Sequence, residues 1–170
     1  MCSGSELLVI GGRSGVGKTT VAHALHALLR VNDVRHALIE GDNLDLAWPA
    51  PWEHRLSLRN LAAVWANYRD LGYRRLVYTN TVAVLEAEEL AAAMGDFPHV
   101  TAVLLTADDD IANARLALRE SGEELAAHRR RSAAAARRLD EQAPAVVQRV
   151  ATAGRSPEDL AATLRQLAGW

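Results

Sequence analysis

The segment Gly12-Arg13-Ser14-Gly15-Val16-Gly17-Lys18-Thr19 constrains this chain more than any other feature. It matches the pattern G-x-x-x-x-G-K-[ST] in full, follows the apolar run Glu6–Ile10, and opens a stretch with helical periodicity. Glycines at 12, 15 and 17 let the backbone wrap an anion without Cβ clashes. The N–H groups from Gly15 to Thr20 then converge on a phosphate, aided by the positive end of the following helix. Lys18 supplies a mobile charge for the outer phosphates. The Thr19 hydroxyl is a hard oxygen suited to Mg²⁺, and Thr20 is placed to donate to the innermost phosphate. Lys18 is the single lysine among 19 basic residues, the rest being arginine. Its position asks for a compact point charge rather than a planar fork. The segment implies nucleotide binding, with Gly12, Ser14, Gly15, Val16, Gly17, Lys18, Thr19 and Thr20 as contact residues.

Strands and helices alternate along the rest of the chain. Extended runs are expected at 6–10, 36–40, 74–79, 100–106 and, more weakly, 146–152. Helices are expected at 18–30, 55–71, 82–94, 107–119, from 122 to about 141, and after Ser156-Pro157. This alternation predicts a doubly wound α/β fold with a mainly parallel five-stranded sheet. The 170 residues suffice for one domain, and no linker or internal repeat divides them. A net charge of -2 gives no global pull toward nucleic acid or an acidic membrane. No apolar stretch approaches the ~20 residues needed to cross a bilayer. The N-terminus lacks the pattern of a secretory signal, and Cys2, the single cysteine, has no partner for an internal disulfide. A cytoplasmic location is therefore expected.

Beyond the loop, the chain resembles the small-molecule and nucleotide kinases of the P-loop class. That group includes adenylylsulfate, shikimate and gluconate kinases and antibiotic phosphotransferases. The resemblance rests on the loop, on Glu40-Gly41-Asp42-Asn43 after the second strand, on Arg115-Leu116-Ala117-Leu118-Arg119, and on Thr152-Ala153-Gly154-Arg155-Ser156 before the last helix. It implies transfer of the γ-phosphoryl group of ATP, with Mg²⁺ as cofactor, to a hydroxyl of a small-molecule acceptor. Lys18, Asp42 and Arg115 are its implied catalytic residues. Arg115, Arg119 and Arg155 join the loop in holding the nucleotide. Thr19 and Asp42 are the metal-side residues, Asp42 through water. Asp42 is open to three roles: base, metal-water orienter, or turn residue capping the next helix.

The same resemblance implies a small helical lid at about 120–132, hinged at Ser121-Gly122 and carrying Arg129, Arg130 and Arg131. Strand three ends in Thr79-Asn80-Thr81, without the acid that motor ATPases carry there; adenylylsulfate kinases also lack it. Asn80 or Thr81 is a candidate contact for acceptor or metal-bound water. The chain has neither N-K-x-D nor a D-x-x-G after a strand, which argues against a GTPase switch. A regulatory ATP-binding module without acceptor chemistry stays open as the alternative. Residues 43–69 hold three of the four tryptophans and are expected to wall the acceptor pocket. Trp48, Trp52, His54, Arg55, Arg59, Asn60, Trp65 and Tyr68 are its candidate residues.

Overall fold

The computed structural model describes residues 4–118 and 120–170, with the Trp52 side chain outside the described set. Cys2 and Arg119 therefore lie outside the described residues.

Five strands form one sheet: β1 (Glu6–Gly11), β2 (Ala37–Glu40), β3 (Arg75–Thr79), β4 (His99–Thr106) and β5 (Gln148–Ala151). Their order is β2-β3-β1-β4-β5, and every pairing is parallel. The helices are α1 (Lys18–Val31), α2 (Leu56–Asp70), α3 (Ala87–Met94), α4 (Asp109–Ala117), α5 (Gly122–Gln142) and α6 (Pro157–Ala168).

Alternation of side chains across β1 divides the core in two. Leu7 and Val9 face one side, where Leu61 and Trp65 of α2, Leu90 and Met94 of α3, and Leu139 of α5 cover them. Leu8 and Ile10 face the other, beneath Val21, Leu25 and Leu29 of α1 and Leu160 and Leu164 of α6. β1 is thus buried on both faces, as expected of a central parallel strand.

The strand order also fixes where a ligand belongs. The chain leaves β1 toward β2 and leaves β4 toward β5, so the connections after these adjacent strands diverge. The crevice beyond their carboxyl ends is the switch point of the sheet.

The expected helix over 82–94 is shorter in the structure. The Asn80 side chain accepts a hydrogen bond from the Val82 N–H at 3.0 Å, and its carbonyl accepts from Ala83 N–H. These bonds wind a 3₁₀ turn at Ala83–Leu85. Glu86 then breaks the path at φ −110° before α3 begins. The 122–141 region is one continuous helix ending at Gln142. Among the described residues, no helix is long and apolar enough to cross a membrane.

Candidate functional site

The loop between β1 and α1 folds back over the carboxyl end of the sheet. Gly12, Gly15 and Gly17 have φ of 144°, 82° and 103°, where an L side chain is strained. A Cβ on Gly12 would meet the Leu105 carbonyl at 2.7 Å, and one on Gly15 would collide with the Ala112 carbonyl. The glycines therefore serve two needs: the turn itself and its close seat on β4 and α4.

Helix α1 starts directly from Gly17, with no side-chain cap and no acid in its first turn. Its first N–H groups consequently face a cavity of about 460 Å³, lined by the loop, Asp42, Thr81, Arg115, Thr152 and the start of α6. The Lys18 ammonium lies across the loop, donating to the carbonyls of Gly12 at 2.7 Å and Arg13 at 3.2 Å. Burial pulls the Lys18 pKa down to about 8, and the nearby Asp42 carboxylate opposes that fall.

The carboxyl end of β2 brings two acids to the same cavity edge. The Thr19 hydroxyl donates to a Glu40 oxygen at 3.4 Å, and the other Glu40 oxygen lies 3.1 Å from His23 Nε2. Asp42 is exposed and accepts from the Asn80 side-chain amide at 2.6 Å. The turn carrying Asp42 sits tightly on β3, because a Cβ on Gly41 would collide with the Tyr78 hydroxyl. Burial, then Glu86 and Asp42, push the Tyr78 phenol well above its usual pKa, so it stays a neutral hydroxyl. Thr19, Glu40 and Asp42 are hard oxygen donors of the kind Mg²⁺ takes, alongside water. Glu40 was not singled out from the sequence. Its position two residues before Asp42, at a strand end, is the signal for it that the sequence carries.

Arg115 closes the opposite wall. Its guanidinium donates to the Val16 carbonyl at 2.9 Å and to the Thr152 hydroxyl at 3.2 Å. It thereby ties α4 to the loop and to the turn after β5. Arg155 also lines the cavity, but its guanidinium is bonded to the Thr163 hydroxyl at 2.5 Å and to the Asp159 carbonyl at 3.2 Å on α6. Glu120 and His128 line the same cavity and pair at 2.8 Å across the α4–α5 break.

The segment 120–132 is attached at its far end. Ser132, 1% exposed, donates to the Ser14 carbonyl at 2.8 Å and accepts from Arg13 Nε at 2.9 Å. Arg129 donates to the Asn113 carbonyl at 3.3 Å, while Arg130 and Arg131 are exposed. None of these three arginines lines the nucleotide cavity in this conformation.

Among the described side chains of 43–69, the aromatic rings of Trp48, Trp65 and Tyr68 are dispersed rather than gathered into a wall. Trp65 is fully buried in the core, Trp48 is 95% exposed, and Tyr68 packs edge-on against Tyr73. Arg55 pairs with Glu89 at 2.5 Å, and Asn60 donates to the Leu44 carbonyl at 2.5 Å, pinning the chain after Asp42 to α2. His54 and Arg59 are exposed. Composition showed that this region is aromatic but carried no information on which way each ring faces.

A parallel sheet in this order, with a glycine-rich loop feeding a bare helix N-terminus at its switch point, defines a P-loop nucleotide-binding fold. A family model described as AAA domain matches residues 8–140, and the chain belongs to that family. No curated protein sequence matches the chain. Several solved structures share its fold. The tunicamycin resistance protein of Deinococcus radiodurans superposes with a TM-score of 0.65 at 20% identity, covering 97% of this chain and 96% of that one. The APS kinase of Mycobacterium tuberculosis, solved with AMPPNP and APS, gives 0.61 at 19% identity and 98% coverage of both chains. The shikimate kinase of Acinetobacter baumannii, solved with shikimate, gives 0.59 at 21% identity, covering 96% and 92%. The fold is that of the small-molecule kinases of the P-loop class.

Proposed function

We propose that the chain is an ATP-dependent phosphotransferase that moves the γ-phosphoryl group of Mg-ATP to a hydroxyl of a small molecule. The observation that carries this reading is the pairing of a bare α1 N-terminus with an exposed carboxylate, Asp42, on the lining of the same cavity as Lys18. The first feature holds phosphates, and the second stands where an acceptor hydroxyl would approach them.

In this reading the N–H groups of Gly15 to Thr20 hold the β-phosphate, and Lys18 turns from the Gly12 and Arg13 carbonyls toward the β- and γ-phosphates. Thr19 would hold Mg²⁺ directly, with Glu40 and Asp42 holding it through water, and the ion would supply neutralisation of the charge developing on the transferring phosphoryl group. Asp42, steadied by Asn80, accepts or directs the proton of the acceptor hydroxyl. Arg115 stays bonded to the loop and presents its guanidinium face to the nucleotide. The first turns of α5, up to the Ser132 anchor, close over the site and exclude water, so that the phosphoryl group reaches the acceptor rather than solvent. Kinases of small molecules among the structural neighbours support this reading.

The test is transfer of labelled phosphate from [γ-³²P]ATP, with Mg²⁺, to a panel of hydroxylated small molecules. One acceptor should become labelled at a rate well above phosphate release to water, and Asp42→Asn should slow that transfer by about a hundredfold, the scale of losing a general base. Slow hydrolysis unaffected by every acceptor would instead favour a regulatory nucleotide-binding module.

A further inference from the structure

Two residues on the nucleotide cavity have no part in the chemistry described so far. Glu120 and His128 face each other across the Ser121-Gly122 break, and both side chains are partly buried. His128 Nδ1 lies 2.8 and 3.0 Å from the two Glu120 oxygens. An ionised carboxylate only accepts, so Nδ1 carries the hydrogen and donates it.

Each partner stands one helical turn from a residue that touches the glycine-rich loop. His128 precedes Ser132 by four positions on one face of α5, and Ser132 donates to the Ser14 carbonyl. Glu120 follows Leu116 by four positions, with its N–H bonded to the Leu116 carbonyl at 3.1 Å. Leu116 in turn packs over Gly15, where an added Cβ would lie 3.1 Å from its Cγ. One turn advances about 5.4 Å, which sets the pair beside the seat proposed for the phosphates.

The other cationic side chains of this cavity rest on neutral acceptors. Lys18 is bonded to two carbonyls, and Arg115 and Arg155 to carbonyls and threonine hydroxyls. Among the described lining residues, His128 alone is held by a carboxylate. Glu120 therefore offers His128 what a phosphate group would offer, two anionic oxygens on one centre. A carboxylate left bare at this place would repel a polyphosphate, so it must be answered in the free protein and moved aside in the complex.

We infer that His128 is a phosphate-binding residue of the nucleotide site and that Glu120 is its built-in competitor, occupying Nδ1–H until an outer phosphate takes it. The inference rests on the nucleotide reading of this cavity. On binding, the hydrogen bond from Nδ1 passes from a Glu120 oxygen to a phosphate oxygen, one charge-assisted bond replacing another, and the carboxylate turns to the solvent it already reaches. Apparent affinity then scales with the fraction of His128 that Glu120 leaves free.

The experiment is calorimetric titration of Mg-ATP and of AMP into the full chain and two variants, with spectra of ¹⁵N-labelled histidine recorded on the same samples. His128→Ala should weaken Mg-ATP about tenfold, the scale of one hydrogen bond to a charged group. Glu120→Gln should tighten it about threefold by weakening the competitor. Both variants loosen the same pair, so thermal melts of the free proteins should shift in one direction while the affinities split. AMP, which lacks the outer phosphates, should show neither change in affinity. Saturating Mg-ATP should move the His128 Nδ1 resonance, and the nucleotide-bound resonances of wild type and Glu120→Gln should coincide, because phosphate is the partner in both. A pair that only staples the hinge would lower Mg-ATP affinity in both variants or in neither, and either result would overturn the inference. So would a bound His128 resonance that stays at its free position. Mg-ATP failing to bind the wild-type chain would overturn the nucleotide reading as well, whereas binding without the split would overturn this inference alone.

Discussion

Two helix N-termini border the nucleotide cavity, and they are built in opposite ways. Helix α6 satisfies itself. Ser156 accepts from the Asp159 N–H at 3.1 Å, proline stands in the first turn, and Glu158 and Asp159 meet the positive end of the helix. Helix α1 has none of these devices. It starts from a glycine at φ 103°, with no side-chain cap and no acid in its first turn. Helices α3, α4 and α5 also place acids in their first turns. An uncapped helix end costs about 1 kcal/mol relative to a capped one. Helix α2 also starts bare, from Arg55 in the left-handed region, but of the two only α1 combines that start with the glycine-rich loop and the Lys18 ammonium, where a capping oxygen would take the place proposed for a phosphate.

The largest effect that would break this contrast comes from the charge at the bare end. Lys18→Ala should lower phosphoryl transfer by at least about a hundredfold, the scale of removing one preorganised charge-stabilising donor. The fold should survive, because the side chain packs against loop carbonyls rather than in the core. Turnover and circular dichroism on the same preparation check both halves.

The next effect makes α1 resemble α6. Thr20→Glu places an acid in the first turn, where it meets the helix dipole and repels phosphate. The free protein should gain about 0.3–1 kcal/mol of stability. Mg-ATP affinity should fall about tenfold. Chemical denaturation and calorimetric titration should therefore move in opposite directions for this one substitution.

The pH dependence comes third. Lys18 in the free protein has its pKa lowered from 10.5 to about 8, and a bound polyphosphate favours the charged form and raises it again. Below pH 8 the ammonium is charged in both states, so affinity should be flat. Above about pH 8 binding requires proton uptake, and affinity should fall by up to about tenfold per unit. Stability of the free protein runs the other way. Between pH 8 and 10.5 the unfolded chain holds more protons at this position, so stability rises with pH across that window. Calorimetric titrations across the range check the first trend. Lys18→Arg, charged throughout, should flatten it.

The smallest effect belongs to the self-sufficient end. Ser156→Ala should cost about 1 kcal/mol of stability, a shift of roughly 2–4 °C in Tm. Mg-ATP affinity should not change, which a thermal melt with and without nucleotide can read.

The bare end of α1 was legible in the sequence because its logic is local. The loop glycines and the lysine lie within a few residues, and their spacing alone dictates the turn. The alternation of apolar runs and helical stretches likewise yielded the five parallel strands. What was not legible depends on meetings between distant parts of the chain. Arg13 reads as an arbitrary loop residue until Ser132, 119 positions away, receives its Nε. Glu40 reads as the end of a strand until Thr19 is brought to it. The tryptophans of 43–69 marked a region, but that Trp65 turns into the core is decided by α2 packing on the sheet, and that Trp48 turns to solvent by the loop that carries it. Arg155 lines the nucleotide cavity as expected of a nucleotide-side residue, but its bonds to Thr163 and Asp159 on α6 could not be read from the sequence.

The open N-terminus of α1 is the phosphate seat we propose. Amide hydrogen exchange with and without Mg-ATP tests it most directly. Nucleotide should slow exchange most at Gly15 to Thr20, where the N–H groups gain an anion, and less at residues 156–160, whose cap is already made. Unchanged exchange at Gly15 to Thr20 under saturating Mg-ATP, or stronger slowing at 156–160, would contradict it.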